Sequence, residues 1–142
     1  MLLAGQMLAK AGIEMDVSMM LGIGGREGSQ EHATATAHAL NAIAPNCVRI
    51  MTFIPKIGTE LGEDYLAGRF NLPGPHEIMW ELRLLVSRIN VPIHLVSDHW
   101  TNFVGFRVWL PEGREALLTH IDRHLEMPET AFRKVGIDAV KS

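Results

Sequence analysis

The first half of the chain alternates between helical and extended patterns of apolar residues. Apolar positions at helical spacing predict a helix over residues 2–11, closed by Gly12 as a left-handed cap. Residues 13–23 begin with apolar alternation and become continuously apolar, as in a strand buried on both faces of a parallel sheet. A helix over residues 30–43 and a short apolar strand over residues 48–53 follow. This order predicts an α/β fold with a parallel sheet.

The same reading predicts further elements after residue 53. Pro55 and Gly58 indicate a loop over residues 54–61, and Pro75 suits the first position of a long helix. Ser29 offers an N-cap oxygen for the helix over residues 30–43. The remaining predicted elements are a short helix over residues 60–67, a long helix over 75–89, a strand over 92–96, a strand or extended loop over 103–110, and a helix from Pro111.

Composition excludes several classes of partner. The formal net charge is −3 and the basic residues are scattered, so we expect no nucleic-acid partner. No run of about 18 apolar residues is present, which predicts no membrane partner. The single cysteine, Cys47, excludes an internal disulfide and agrees with a reducing, cytoplasmic location.

The predicted sheet is incomplete at its first strand. Parallel sheets are buried on both faces and usually contain more strands than this pattern supplies. Nothing before residues 13–23 can provide a neighbouring strand. The chain therefore either associates through this open sheet edge or is a fragment of a larger fold.

Four segments carry a resemblance to a known family. They read GIEMDVSMMLGIGGREGSQEHATATAHALNAIAPNCVRIMTFIPKIGTEL, ELRLLVSRIN, VSDHWTN and LPEGREALLTHIDRHL. In this order and spacing the chain resembles radical S-adenosylmethionine (SAM) proteins of the iron–sulfur oxidoreductase type, over about residues 5–125. The resemblance implies part of a (β/α)6 TIM-like barrel in residues 1–70, with residues 13–23 and 48–53 as the fifth and sixth strands. Residues 71–142 would form a mostly helical C-terminal extension packed on it.

The resemblance also implies a chemistry that this chain cannot complete by itself. In the family, a C-x-x-x-C-x-x-C motif holds a [4Fe–4S] cluster that cleaves SAM to a 5′-deoxyadenosyl radical. Here one cysteine cannot supply three thiolates. We therefore expect SAM, the cluster and an unidentified substrate to belong to the intact protein, and this chain to be inactive alone.

The resemblance implies two groups of cofactor-binding residues. The family's G-x-I-x-G-x-x-E motif falls on residues 18–25, where Gly22 is retained and Met20 keeps the apolar character that packs against adenine. Ser18 replaces the first glycine and Gly25 replaces the acid. The simpler interpretation is a βα turn that needs positive φ. The family's sixth strand offers backbone groups to adenine, which here would come from Met51, Thr52 and Phe53.

Other candidate residues surround the predicted third strand. Asp98 and His99, at its tip, are predicted to contact the substrate of the intact enzyme, with a turn role for Asp98 as the alternative. His94, Asp98 and His99 also suggest a small metal-dependent hydrolase. A non-catalytic α/β association module is the other alternative. We expect the turn-like segment IPKIGTEL to be structural, and the three tryptophans to pack rather than to stack on a ligand.

Overall fold

A computed structural model describes residues 2–134 of the chain and contains helices and strands in mixed order. Its helices are α1 (Leu2–Lys10), α2 (Gly25–Ile43), α3 (Glu60–Leu66), α4 (Pro75–Arg88) and α5 (Arg114–Leu125), with a 3₁₀ turn over Glu129–Ala131. Its strands are β1 (Asp16–Leu21), β2 (Cys47–Thr52), β3 (Ile93–Ser97) and β4 (Phe106–Leu110).

The four strands form one open sheet in the order β1-β2-β3-β4. The first three strands are parallel, and β4 runs antiparallel to β3. Residues 92–110 therefore extend the sheet begun by β1 and β2. Strand β4 lies where the sequence predicts a strand or an extended loop, and it is antiparallel because a short loop returns the chain beside β3 in the opposite direction.

The helices cover one face of the sheet. Alternate strand residues, such as Met19, Val48 and Leu95, belong to a core cluster built with α2, α4 and α5. Small residues on α2, including Ala33 and Ala37, are buried there and let the helix approach its neighbours closely. Helix α1 packs against α2, where Gly5 contacts Ile43.

The opposite face of the sheet lies away from α2, α4 and α5, and we name it the open face; the start of α3 borders it at one end. The open face presents one side chain from every second strand position. Register places these side chains in rows that cross the strands. The first row contains Asp16, Cys47, His94 and Trp109; the second contains Ser18, Arg49, Val96 and Arg107; the third contains Met20 and Met51.

The start of α2 differs from its sequence-based prediction. The helix begins at Gly25, directly after β1 and a short turn, and Gly24 is its N-cap. The prediction that Ser29 caps this helix is wrong, because Ser29 lies inside the helix and its hydroxyl donates to Glu81. The glycine-rich start hid the first turn of the helix, since glycine has low helix propensity.

Two expectations about exposed surfaces have different outcomes. Strand β1 lies at the edge of the sheet, so the open edge expected from the sequence is confirmed for residues 2–134. The tryptophans, which we expected to pack rather than to stack on a ligand, are largely exposed. Trp80, Trp100 and Trp109 are 58%, 62% and 62% exposed. In the described part of the chain, no helix has the length and apolar character needed to span a bilayer.

Candidate functional site

A groove of about 830 Å³ opens where β1 and β2 end. The carboxyl ends of parallel strands are the usual place for ligands in α/β folds. Three segments form the walls: the ends of β1 and β2, the loop before α3, and the loop after β3. The lining residues are Met20, Met51, Thr52, Phe53, Ile54, Pro55, Lys56, Ile57, Thr59, Glu60, Leu61, His99, Trp100 and Thr101.

Two methionines and a phenylalanine form the strand side of the groove. Met20 and Met51 are register partners on neighbouring strands, so their side chains lie next to each other on the open face. Phe53 follows β2, and its ring meets Phe70 edge to face at 5.6 Å. Flexible thioethers and an aromatic ring adapt well to a flat apolar ligand.

The loop before α3 forms the second wall and is held by its own hydrogen bonds. Gly58 takes a positive φ of 82°. The Thr59 hydroxyl donates to the Lys56 carbonyl at 2.7 Å and accepts from the Gly62 amide, which caps α3. The structural turn expected for IPKIGTEL is therefore confirmed. The same turn also brings Pro55 and Leu61 to the groove.

The loop after β3 forms the third wall. The Thr52 amide donates to the Thr101 hydroxyl at 3.1 Å, and this hydroxyl lies 2.8 Å from His99 Nδ1. Asn102 accepts from the Thr52 hydroxyl and donates to the Ile50 carbonyl at 2.8 Å. The Thr52 amide is therefore already hydrogen-bonded within the protein, whereas the His99 side chain lines the groove.

The structure brings together five of the eight candidate binding residues predicted from the sequence. Met20, Met51, Thr52, Phe53 and His99 all line the groove. The three others lie outside it. Ser18 is on the open face, one row from Met20.

Gly22 serves the turn between β1 and α2. Its φ is 79°, and a Cβ atom there would lie 2.7 Å from the Ile78 side chain. Its amide donates to both carboxylate oxygens of Glu81 at 3.2 Å. The positive φ expected for this βα turn is confirmed at Gly22 and Gly25. A ligand-binding role for Gly22 stays a prediction.

Glu81, on α4, is the residue that the sequence reading missed. Its side chain has no exposed surface. Besides the Gly22 amide, its carboxylate accepts from the Ser29 hydroxyl at 2.8 Å, and one carboxylate oxygen lies 2.7 Å from His32 Nδ1. Glutamate is rarely buried unless its oxygens are paired. The missed signal was Glu81 inside the apolar stripe of α4, between Ile78 and Leu82.

The three residues of the hydrolase alternative have separate partners. The His94 ring stacks on Trp109 at 4.6 Å, Asp98 accepts from Arg107 at 2.7 Å, and His99 contacts Thr101. Within residues 2–134 no group of three His, Cys, Asp or Glu side chains could hold a metal ion. The alternative therefore has no ligand set in this part of the chain.

The cysteine also does not fit an iron–sulfur cluster. Cys47 starts β2, at the end of the sheet opposite the groove. Burial raises the pKa of the Cys47 thiol above its usual value, and nearby Asp16 raises it further. A cluster ligand must be a thiolate, so this environment is the opposite of the one required.

Comparison with known proteins adds no assignment. No protein-family model matches the chain, and no curated protein matches its sequence.

Proposed function

We propose that this chain is the adenosyl-binding, C-terminal part of a radical SAM barrel and is inactive without the cluster-bearing part. One observation carries the proposal. The residues that the resemblance assigns to adenine, Met20, Met51, Thr52 and Phe53, converge on one groove at the carboxyl ends of parallel strands. The groove volume is within the range of small-molecule sites, about 300–1,000 Å³.

The two faces of the sheet also support the proposal. In a (β/α) barrel the helices pack outside the strands, and alternate strand residues point inward. Here the helices cover one face, and the open face lies on the other side. If β1 and β2 are the last barrel strands, the open face is part of the barrel interior. The edge of β1 is then where the preceding strand would pair.

The chain's own residues would bind and orient the adenosyl group. Met20 and Met51 would support the flat base, and Phe53 with Trp100 would shield it from water. The His99 ring, positioned by Thr101, would offer a polar group to the ligand. This chain by itself would cleave no bond, because one cysteine cannot supply the three thiolates that hold the cluster.

The direct test is to titrate the purified protein with 5′-deoxyadenosine and to monitor binding by NMR chemical shifts. We expect saturable binding that shifts the signals of Met20, Met51 and Thr101. Met51→Ala should weaken binding about tenfold, since it removes one of the two supporting thioethers. Met7→Ala, at an exposed methionine of α1, is the matched control.

Two results would contradict the proposal. One is the absence of saturable binding to the wild-type protein. The other is equal weakening by Met51→Ala and Met7→Ala, which would place the ligand outside the groove.

The second candidate function is a non-catalytic association module. The observation that favours it is the combination of an uncovered sheet face, an edge strand β1 and exposed apolar residues on α1. Exposed sheet edges and large apolar patches commonly mark interaction surfaces. This candidate predicts self-association without any affinity for 5′-deoxyadenosine.

A further inference from the structure

Two arginines on the open face share one carboxylate beside the groove. Arg49 on β2 and Arg107 on β4 both pair in register with Val96 of the strand between them. Arg107 donates to Asp98 Oδ2 at 2.7 Å, whereas Arg49 Nη1 lies 3.6 Å from Asp98 Oδ1. Among residues 2–134, the Arg49 guanidinium makes only this loose ion pair.

The burial of Val96 indicates how the Arg49 and Arg107 side chains are placed. Val96 is only 3% exposed, although it points to the open face. Arginine stems readily cover apolar surface while the charged ends stay in water. We therefore attribute the burial of Val96 to the flanking stems of Arg49 and Arg107. This arrangement holds both guanidinium groups above the same strand.

The local charge is positive by one unit. Arg49 and Arg107 carry two positive charges, and Asp98 neutralises one of them. On the strands of this face the other titratable groups are in the first row, and the adjoining groove adds His99 together with Lys56 and Glu60, whose opposite charges cancel. Asp16 is on the edge strand, Cys47 has a raised pKa and is a neutral thiol, and His94 is stacked on Trp109.

The arginine pair continues directly into the groove. Arg49 and Met51 are two residues apart on one strand, so they are neighbours on the same face, about 7 Å apart. Asp98 is followed by His99, which lines the groove. A ligand in the apolar groove can therefore place an anionic end at the arginines.

We propose that Arg49 and Arg107 form a carboxylate subsite, so that the groove takes a ligand with an apolar body and one carboxylate. A single surplus positive charge matches a monoanion, and guanidinium forks bind carboxylates with two parallel hydrogen bonds. Only one part of this inference rests on the proposed function, namely that such carboxylates are the substrates of the intact enzyme. Binding itself follows from the groove and the charges.

The test compares 1-naphthylacetate with its neutral isostere 1-naphthylacetamide in NMR titrations of the full chain. We expect the acid to bind about fivefold more tightly, as for a partly exposed charge-assisted contact. Arg49→Gln should abolish this preference without changing the affinity for the amide. Asp98→Asn should increase the preference, because it removes the competing carboxylate.

Controls separate the subsite from general charge effects and from the proposed function. Arg83→Gln removes an arginine that pairs with Asp122 on the helical side, and it should leave both affinities unchanged.

Equal binding of acid and amide, equal weakening of both by Arg49→Gln, or binding of neither probe would overturn the subsite. Tighter binding of 1-naphthyl phosphate than of the acid would overturn its assignment to carboxylates. Failure of 5′-deoxyadenosine to bind would refute the proposed function alone.

Discussion

At the scale of single residues, Glu81 controls the geometry at the end of β1. Its fully buried carboxylate accepts from the Gly22 amide and the Ser29 hydroxyl and contacts the His32 ring. These partners come from the β1–α2 turn and from α2. One side chain on α4 therefore joins two consecutive segments, the β1–α2 turn and α2.

Replacing this glutamate should destabilise the protein. Glu81→Gln keeps the side-chain size but offers one acceptor oxygen and introduces an amide donor facing other donors. We expect the free energy of unfolding to fall by about 2–4 kcal/mol, measured by urea denaturation. The control Glu126→Gln changes an exposed glutamate and should cost less than about 0.5 kcal/mol. Equal losses for both variants would contradict the role of Glu81.

Cys47 should react slowly with alkylating reagents. Burial raises the pKa of its thiol, and the Asp16 carboxylate adds to this effect. At a pH below this raised pKa, less thiolate is present than in an unstructured peptide, and only the thiolate reacts. We predict that iodoacetamide labelling, followed by mass spectrometry, is slower in the native protein than in urea.

Asp16→Asn tests the electrostatic part of that explanation. Removing the negative charge should speed labelling of the native protein, because the thiolate is then less unfavourable. The rate in urea should not change. An unchanged native rate would mean that burial alone protects the thiol.

At the scale of elements, side chains replace the backbone ladder between β2 and β3. Register pairing of these strands ends at Arg49 and Val96, before β2 itself ends. Beyond that point the Thr52 amide donates to Thr101, and the Ile50 carbonyl accepts from Asn102. The loop after β3 thus satisfies the strand edge that also forms the groove.

Asn102 should therefore be important for both stability and the groove. Asn102→Ala leaves the Ile50 carbonyl and the Thr52 hydroxyl without their buried partner. We expect a loss of about 2–3 kcal/mol in unfolding free energy and shifted NMR signals for Thr52 and Thr101. Asn71→Ala is the matched control, because that amide pairs with Glu27 at the surface. A loss in unfolding free energy no larger than that of Asn71→Ala would show that water replaces the hydrogen bonds of Asn102.

At the scale of the whole molecule, the two faces of the sheet differ in how far they are covered. The helical side buries a continuous core, whereas the open face, the β1 edge and α1 leave apolar groups exposed. On α1, Leu3 is 71% and Met7 is 64% exposed. Parallel sheets are normally covered on both faces, so a partner for the open face is expected on physical grounds.

The exposed apolar residues of α1 should produce concentration-dependent self-association. Sedimentation velocity should show a rising average mass with concentration for the wild-type chain. The double variant Leu3→Gln, Met7→Gln should reduce it and leave the free energy of unfolding nearly unchanged, since both side chains are already exposed. A wild-type protein that stays monomeric at all concentrations would contradict this prediction.

The sequence by itself determined the element order and much of the groove. Local patterns are sufficient for this, because apolar periodicity and residues such as Gly12, Thr59 and Pro75 act within a few positions of each other. The resemblance added Met20, Met51, Thr52 and Phe53, and the position at a strand tip added His99; the fold brings these residues to one place. The cluster, SAM and the substrate stay predictions.

Only the tertiary structure decided the contacts between distant segments. The antiparallel direction of β4, the partners of Glu81 and the pairing of Arg49 and Arg107 with Asp98 join residues that are 9 to 59 positions apart. The exposed tryptophans have the same origin, since burial depends on which face of the sheet the helices cover. No local pattern encodes that choice, because it depends on how the whole chain packs.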